Sequence, residues 1–454
     1  MRRLTAVRGL GPLRHRGFRL LAGGQLASNA GDSFYAVALP WYVLADHGGT
    51  ILLGTVLVAY GIPRTALVVV GGHASDRWHP WTVMMSTDAA RALAVAALAV
   101  AAATGPARAV VLVPIAAVLG AGEGLFMPGS FAIVPALLPD EDLQSGNALA
   151  SAGTQLAMLI GPAAGGAMVA FLGPAPAFAL DAASFLISAV TLAGIRAARR
   201  PLASAEAAAA QRSQAAQATA DQSPAAAGGP TLLSVLRSER ALQIGLLVTV
   251  AANLGSGGTD EVALPSLAHG PLHSGAGGFG ALIAAFGAGA LAGTIVAGQA
   301  GRIRRPAVLC SFVFLAQAAA LAAVPYLGST VAAGGALLAV GVANGFGNVV
   351  MITSFQRFAP PDLLGRLAGL LTLASLGIFP VSVALAALVV HRLGPAPFFP
   401  FAALALAAPI LAGLTQSDWR SFGMRNDSAV VAEWPAAGDG QQAGDDRPAA
   451  PLAN

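Results

Sequence analysis

The sequence predicts an all-α integral membrane protein with about twelve transmembrane helices, arranged as two similar six-helix halves. Three observations predict this class: an apolar composition, a series of apolar segments long enough to span a bilayer, and an internal repeat. Of the 454 residues, 56% are hydrophobic and only 10% are charged, whereas a soluble domain usually has about 25% charged residues. The mean hydropathy of +0.70 agrees with a membrane protein.

Apolar segments separated by Gly, Pro and charged residues give the predicted helices, because a spanning helix needs roughly 20 apolar residues. The first segment follows an Arg-rich start and is too long for the apolar core of a cleavable signal, so we expect it to be retained. The predicted helices are 20–44, 52–73, 82–103, 110–137, 148–171, 177–196, 240–266, 277–300, 307–327, 333–356, 365–390 and 397–415.

The placement of basic residues predicts the topology. All 25 basic residues are Arg, and with twelve helices most of them fall on one side of the membrane. Arg108 and Arg392 fall on the other side, and Arg64 and Arg91 fall within helices. Such a bias marks the cytoplasmic side. It predicts a multi-pass protein of the cell inner (plasma) membrane with both termini in the cytoplasm.

Composition divides the chain into five predicted parts. They are a basic cytoplasmic N-terminus (1–19), a first six-helix bundle (20–196), a cytoplasmic linker (197–239), a second six-helix bundle (240–415) and a disordered cytoplasmic tail (416–454). The linker is rich in Ala, Gln, Ser and Pro, and the tail is polar and acidic, so neither is expected to pack as a helix of the bundle.

The two predicted bundles repeat each other. The matched positions are Asn29 and Gly31 with Asn253 and Gly255, Tyr60 and Gly61 with Phe286 and Gly287, and Gly120 and Gly124 with Gly341 and Gly345. Parallel repeats of six helices are one known transporter plan, in which the substrate site lies between the halves near the middle of the membrane.

The loop after predicted helix 2 is a candidate cytoplasmic gate. Gly72 is expected to allow a short, tight turn, and Asp76 and Arg77 are expected to contact a helix end or a carboxylate on a neighbouring segment. The matching loop of the second half contains Arg302, Arg304 and Arg305. Such contacts would hold one conformation closed and break in the other, and ordinary loop charge is the alternative interpretation.

Charges within predicted helices are the candidate site, because each one costs at least ~2.5 kcal/mol on insertion scales and is usually paired, hydrated or functional. Asp32, Arg64 and Glu123 fall near the middle of the membrane in the first half. Asp32 is expected to pair with Arg64, which leaves Glu123 as a titratable acid; a purely structural ion pair is the alternative. The amides Asn29 and Asn253, at equivalent positions of the two halves, are expected either to line a cavity or to bridge helices, and Asn344, the neutral counterpart of Glu123, is a further candidate site residue.

Other charges lie closer to the helix ends. Asp181, Asp260 and Glu261 are expected to form either a solvated outer rim or an extracellular gate. Asp88 and Arg91 are three residues apart near the inner face, and we expect them to pair locally.

Predicted helix 5 contains a cluster of small residues and proline. Its members are Gly161, Pro162, Gly165 and Gly166. Proline kinks a helix and small residues permit close helix contact, so packing accounts for at least part of this pattern.

These motifs together resemble the major facilitator superfamily over nearly the whole chain, and in detail its exporter subgroup of enterobactin-exporter and macrolide-efflux type. The residues that carry the resemblance are Gly31-Asp32, Ala38 to Trp41, Pro63-Arg64, Asp76-Arg77, Gly122-Glu123, Pro139 to Asn147, and Gln356-Arg357 to Gly365-Arg366. The resemblance implies the major facilitator fold. The cluster in predicted helix 5 resembles the antiporter motif of the superfamily, which implies export.

The sequence departs from the superfamily pattern after Asp76-Arg77. The usual Gly and paired basic residues are replaced by Trp78, His79, Pro80 and Trp81. Arg302, Arg304 and Arg305 are therefore expected to carry more of the gate contacts.

The predicted function is secondary active transport, with proton-coupled export of a small amphiphilic drug, antibiotic or other natural product as the leading hypothesis. An excess of acids over bases in the membrane favours neutral or cationic cargo. Uptake on the same fold, export of an anionic siderophore that uses Arg64, and a non-transporting sensor or scaffold are the alternatives. A chain without Lys cannot hold a Walker-type loop, so an ATP-driven pump is not expected.

The expected partners are the lipid bilayer, a small-molecule substrate and protons as the coupling ion. No enzyme activity, cofactor, metal or nucleic acid is expected, and the protein is expected to be a monomer.

Overall fold

A computed structural model of the protein describes residues 8–45, 49–198, 240–300, 303–358 and 361–422, and these residues are helical almost throughout. A 3₁₀ segment (Arg8–Arg14) precedes the long helices. The first six are α1 (Arg16–Ala45), α2 (Gly49–Trp78), α3 (Pro80–Thr104), α4 (Ala109–Leu137), α5 (Asp140–Leu172) and α6 (Pro174–Ala198).

The second set of helices begins with α7, which runs through three consecutive segments: Arg240–Gly258, a π-helical turn Thr259–Ala263, and Leu264–His269. It continues with α8 (Gly275–Gln299), α9 (Pro306–Ala323), α10 (Thr330–Phe358), α11 (Pro361–Leu393), α12 (Phe398–Leu414) and the short α13 (Ser417–Ser421).

Nine helices within the described residues are long and apolar enough to cross a membrane: α2 to α6 and α8 to α11. Helix α12 is apolar but shorter. Many large apolar side chains point away from the protein interior; Phe171 and Val331, for example, are 86% and 87% exposed. A soluble protein rarely exposes so much contiguous apolar surface, so the structure confirms the prediction of an all-helical membrane protein.

The helices pack in two equivalent sets. In the first set, α2 packs along α4, α1 packs against α5 and α6, and α3 packs against α4 and α6. In the second set, α8 packs along α10, α7 packs against α11 and α12, and α9 packs against α10 and α12. Two further pairs join the sets: α5 packs on α8, and α11 packs on α2. The repeat seen in the sequence therefore reappears in the helix pairing.

The repeated glycines allow the closest of these pairs. A Cβ atom at Gly120 would meet the carbonyl oxygen of Tyr60, and one at Gly124 would meet that of Arg64, so α2 and α4 touch backbone to backbone. In the second set, Gly341 lies in the same way on Phe286, and Gly345 on Ala290. Small residues at such spacing are the usual means of close helix contact in membranes.

The two sets contact each other from the middle of the bundle to the end opposite the described termini. At that end the ring of Trp41 lies 5.1 Å from the ring of His269, and Gly54 of α2 lies against Ala387 of α11. Near the middle, the Thr65 hydroxyl donates a hydrogen bond of 3.0 Å to the carbonyl oxygen of Leu376. The sets are therefore joined at that end in this conformation.

The predicted limits of the bundle need correction at both termini. Helix α1 begins at Arg16 rather than residue 20, and residues 417–421 are helical rather than disordered. Trp419 is 1% exposed, and its indole N–H donates a hydrogen bond of 3.0 Å to the Ser311 hydroxyl of α9. Because the tail is polar and acidic, its composition did not indicate that Trp419 packs against the bundle. The linker residues 199–239 and the tail residues 423–454 lie outside the described residues.

Candidate functional site

A charged cluster joins α2 and α4 within the first set of helices. Arg64 Nη2 lies 2.8 Å from Glu123 Oε1, and the Tyr60 hydroxyl donates a hydrogen bond to Glu123 Oε2. The Arg64 guanidinium also lies 5.7 Å from the centre of the Tyr60 ring. Tyr60 and Arg64 are four residues apart and thus share one face of α2, and the glycine contacts of α4 bring Glu123 against that face.

A second ion pair joins α1 and α3. Arg91 Nη2 lies 3.3 Å from Asp32 Oδ1, and the Arg91 guanidinium packs over the Phe185 ring at 4.0 Å. Asp88 contacts the same guanidinium only at 4.0 Å, so the expected local Asp88–Arg91 pair is secondary to the contact with Asp32. Gly122 of α4 makes room for the aliphatic stem of Arg91.

The predicted pairing of Asp32 with Arg64 is therefore wrong. Because α2 packs closely on α4, Arg64 pairs with Glu123. Asp32 pairs with Arg91 instead. The expectation that Arg91 lies near the inner face is also wrong, because Arg91 occupies the middle of α3 (Pro80–Thr104). From there its long side chain reaches the carboxylate of Asp32 on α1.

A cavity of 320 Å³, which we call the first cavity, lies among these charges. Its lining includes the carboxylates of Asp32, Glu123, Asp181 and Glu261 together with Arg91. Arg64 joins it through Glu123, so four acids face two bases. Glu261 reaches this cavity from α7, in the second set of helices.

Asp181 is not part of a solvated rim, which was one of its two predicted roles. It is 1% exposed, and it lies against Gly31 of α1 because that glycine leaves space for α6. The Ser184 hydroxyl contacts its carboxylate at 3.4 Å. The sequence could not reveal this burial, because the polar residue near a helix end gives no sign of which neighbour covers it.

A larger cavity of 590 Å³, which we call the second cavity, is lined by α7 to α12. Two of the predicted amides line it. Asn253 donates a hydrogen bond of 3.2 Å to the Ser375 hydroxyl, and Asn344 accepts one of 3.1 Å from Asn348. Asp260 also lines this cavity, and it is exposed within it.

The third predicted amide, Asn29, bridges helices. Its side chain donates a hydrogen bond of 3.1 Å to the Thr154 hydroxyl, joining α1 to α5. The bond between Asn253 and Ser375 joins α7 to α11 in the same way. Of the two predicted roles, Asn29 therefore has the bridging one, and Asn253 has both.

The small-residue cluster of α5 lies between α1 and the second set of helices. Gly161 and Gly165 lie on α1, against Ser33 and Phe34. A Cβ atom at Gly166 would lie 2.7 Å from the carbonyl oxygen of Ala276 in α8. On the same face, the Pro162 carbonyl oxygen lies against Gly280 of α8. The cluster thus forms part of the contact that joins the two sets.

The predicted gate turn has a different shape from the one expected. Helix α2 continues to Trp78, and the chain turns at His79, whose φ of 67° lies in the left-handed region. Gly72 makes no close approach, and Gly71 instead packs on Leu125 of α4. The expectation for Gly72 is wrong because the helix does not end where the apolar run ends.

The gate arginines within the described residues face solvent. Arg77 is exposed and packs over the Trp78 ring at 5.9 Å, and Arg304 and Arg305 are exposed before α9. The side chain of Asp76 and the whole of Arg302 lie outside the described residues, so the gate contacts stay a prediction.

Comparison with known families decides the assignment of the fold. Residues 21–380 match the family described as the Major Facilitator Superfamily. The chain belongs to the major facilitator superfamily. The resemblance drawn from the sequence motifs is thereby confirmed at the level of the superfamily, whose members are membrane transporters.

Curated relatives in the superfamily include efflux pumps. The multidrug efflux pump Tap of Mycolicibacterium fortuitum is 28% identical over 183 residues, covering 39% of this chain and 44% of that protein. Tap of Mycobacterium tuberculosis (strain ATCC 25618 / H37Rv) is 30% identical over 183 residues, covering 39% and 43%. The chain thus spans less than half of the length of the curated relatives it matches.

Two solved transporter structures share the fold of this chain. A bacterial homologue of the iron transporter ferroportin in an inward-facing state gives a TM-score of 0.64 at 14% identity, covering 90% of this chain and 99% of that one. A POT family transporter in complex with 5-aminolevulinic acid gives 0.66 at 14% identity, covering 88% and 96%.

Two residues of the first cavity were not predicted as site residues. In the sequence Tyr60 is distinguished only as a repeat position, although its spacing of four from Arg64 places both on one helix face. Arg91 was assigned to the helix end, although its position in the middle of an apolar segment is the same signal that identified Arg64. Among the described residues, no group of three or more His, Cys, Asp or Glu side chains is arranged to hold a metal ion.

Proposed function

We propose that this protein is a secondary active transporter that exports a small amphiphilic molecule in exchange for protons, by alternating access. The observation that carries the proposal is the excess of carboxylates in the first cavity, where four acids face two arginines. Ionised carboxylates within a membrane are expensive, so such a cavity favours either bound protons or a bound cation. The relatives that are named as multidrug efflux pumps support the direction.

Glu123 is the proposed coupling acid, with Asp32 as the second. Protonation of Glu123 would weaken its 2.8 Å contact with Arg64 and change how α2 is held against α4. Loss of that proton would restore the ion pair. Two arrangements of one pair, selected by a proton, are what a coupled transporter needs to link protonation to conformation.

The proposed topology has twelve spanning helices, α1 to α12, in two bundles that rock around the two cavities. The two sets are joined at the end opposite the termini, which supports an inward-facing arrangement if the termini are cytoplasmic. Arginines at the terminal end, such as Arg16, Arg19, Arg77 and Arg304, favour that orientation by the positive-inside rule. We further propose that the protein acts as a monomer in the cell inner membrane.

The proposed gates lie at opposite ends of the bundle. The contact of the α5 cluster with α8 would close the outer end, and it must separate for release outside. The loops that contain Asp76 and Arg77, and Arg302 to Arg305, would close the cytoplasmic end in that state. The side chains of Arg77, Arg304 and Arg305 are exposed here and are accessible for new contacts.

Anionic cargo is less well supported than neutral or cationic cargo. Arg64 and Arg91 each have a carboxylate partner, at 2.8 and 3.3 Å. A siderophore would therefore have to displace Glu123 or Asp32 from an existing ion pair.

Inverted membrane vesicles with an acidified interior test the proposal. A pH-sensitive dye would report proton release when lipophilic cations, macrolides or siderophores are added. We expect one class to collapse the gradient with the native protein but not with Glu123→Gln. If no compound does so, while intact cells accumulate a labelled compound in a protein-dependent manner, the direction is uptake and the proposal is wrong.

A further inference from the structure

We infer that the second cavity is the substrate site and that it recognises a lipophilic cation, with the carboxylate of Asp260 as the counter-ion. This inference rests on the proposed function, and it assigns substrate binding and proton coupling to different halves of the protein. The first cavity would hold the coupling acids, and the second cavity would hold the cargo.

Asp260 is the only charged residue among the described residues that line the second cavity. The ion pairs that the structure gives within the described residues do not include it, whereas Asp32 and Glu123 in the first cavity each have an arginine. Its side chain is exposed within the cavity. Ionisable residues in membrane-spanning segments usually pair with an opposite charge or mark a substrate pathway, and a cationic substrate would supply the opposite charge here.

The rest of the lining fits an aromatic or otherwise apolar cation. Phe286, Met351 and Phe355 supply apolar and polarisable surface around the cavity, and aromatic faces attract cations. Gln317 Oε1 is buried, has no hydrogen-bond partner within the described residues, and belongs to the cavity lining. The amide of Gln317 therefore borders the cavity with an acceptor that the described residues leave unused.

The repeat shows how the two cavities diverged. Glu123 in α4 corresponds to Asn344 in α10, and Tyr60 in α2 corresponds to Phe286 in α8, because α4 and α10 place their glycines on α2 and α8 in the same way. The ion pair of Arg64 with Glu123 is thereby replaced by Ala290 and the amide of Asn344, and Tyr60 by the apolar ring of Phe286. At this place the second cavity has no proton-binding carboxylate, and it presents a neutral surface to a large organic molecule instead.

The π-helical turn of α7 directs two neighbouring acids into different cavities. Asp260 lines the second cavity and Glu261 lines the first, and both lie in the π-helical turn Thr259–Ala263. Such turns are rare and often occur at functional sites. The turn therefore lies between the proposed coupling site and the proposed cargo site, and one residue of it belongs to each.

Direct binding of tetraphenylphosphonium to the purified full-length protein tests the inference without a proton gradient. The uncharged analogue triphenylphosphine oxide, measured in parallel, reports whether the cavity is intact. We expect Asp260→Asn to weaken binding of the cation by about tenfold, the scale of Coulomb attraction across several ångströms at an intermediate dielectric constant. The affinity for the oxide is expected to stay within twofold, which shows that the variant is folded.

Two matched variants complete the experiment. Asp418→Asn removes an exposed acid outside both cavities and is expected to leave both affinities unchanged. Glu261→Gln removes the neighbouring acid of the same turn and is expected to weaken cation binding less than Asp260→Asn does. Equal losses for Asp260→Asn and Glu261→Gln, or an unchanged cation affinity in Asp260→Asn, would overturn the inference. Failure of the vesicle assay with intact Asp260-dependent binding would instead count against proton-coupled export.

Discussion

Neutralisation of the pair between Arg64 and Glu123 should have unequal effects on stability, depending on which partner is removed. Glu123→Gln leaves a guanidinium that is only 21% exposed without its carboxylate, and an arginine cannot lose its charge in a protein. Breaking a fully buried pair in this way costs about 3–5 kcal/mol. Because both side chains are partly exposed, we expect a loss of about 2 kcal/mol in the free energy of unfolding.

Arg64→Gln should be milder, because the remaining carboxylate can take up a proton and keep its hydrogen bond to Tyr60. We expect about 1 kcal/mol for this change, the usual value of a lost polar contact. The double variant Arg64→Gln/Glu123→Gln leaves neither charge and should be more stable than Glu123→Gln alone. The two sites should therefore be coupled by about 1–2 kcal/mol.

Thermal unfolding of the detergent-solubilised protein measures this order. A loss of 2 kcal/mol should lower the midpoint by about 4–8 °C for a unit the size of one half. Arg304→Gln, which removes an exposed arginine, serves as the control and should change the midpoint little. The reasoning is refuted if Arg64→Gln destabilises as much as Glu123→Gln, or if the double variant shows the sum of the two losses.

Three further predictions concern other parts of the molecule. Asp32→Asn removes the carboxylate 3.3 Å from Arg91 and should abolish proton-driven transport while substrate binding to the purified protein persists; loss of both together would contradict a coupling role. Gly166→Leu should separate α5 from α8, since a Cβ atom there already lies 2.7 Å from a carbonyl oxygen, and should raise the labelling of cysteines introduced at that end; unchanged labelling would contradict it. Trp419→Ala should lower the free energy of unfolding by about 3–5 kcal/mol. Trp419→Phe keeps a buried aromatic ring but loses the hydrogen bond to Ser311 and part of the indole, so we expect a loss of about 1–2 kcal/mol. Both are measured by thermal unfolding, and equal losses would contradict the role of packing.

The helix order and the repeat could be predicted from the sequence because both depend on local patterns. Apolar segments of sufficient length give the helices, and glycines at matching positions, such as Gly120 and Gly341, give the repeat. The same glycines then explain the closest helix contacts in the structure. The identity of the membrane charges could also be predicted, since Asp32, Arg64 and Glu123 all lie in or near the first cavity.

The partners of these charges could not be predicted, because pairing depends on how each helix is rotated about its axis. Asp32 and Arg64 lie at similar depth, yet α2 presents Arg64 to α4 and Arg91 reaches α1 from α3. Asp181 is buried because Gly31 of the neighbouring helix leaves room for it. The depth of a side chain in the membrane follows from its position in an apolar segment. The rotation of its helix about the helix axis depends on packing against residues far away in the sequence.

The π-helical turn of α7 was not predicted either. Asp260 and Glu261 are adjacent and were predicted to share one role at the outer rim, but they line different cavities. One extra residue in a helical turn changes which neighbour each side chain faces. Such an insertion leaves no mark in hydropathy; its sign in the sequence is that the matched residues Asn253 and Ala263 lie one residue farther apart than Asn29 and Ala38.

Substrate-driven proton movement in liposomes that contain only this protein tests proton-coupled export most directly. Purified protein is reconstituted with a pH-sensitive dye inside, and a tetraphenylphosphonium gradient is applied without any initial pH difference. We predict that the native protein moves protons against the direction of the cation and that Glu123→Gln does not. Protein-dependent movement of the cation with no accompanying change in internal pH would contradict coupling to protons.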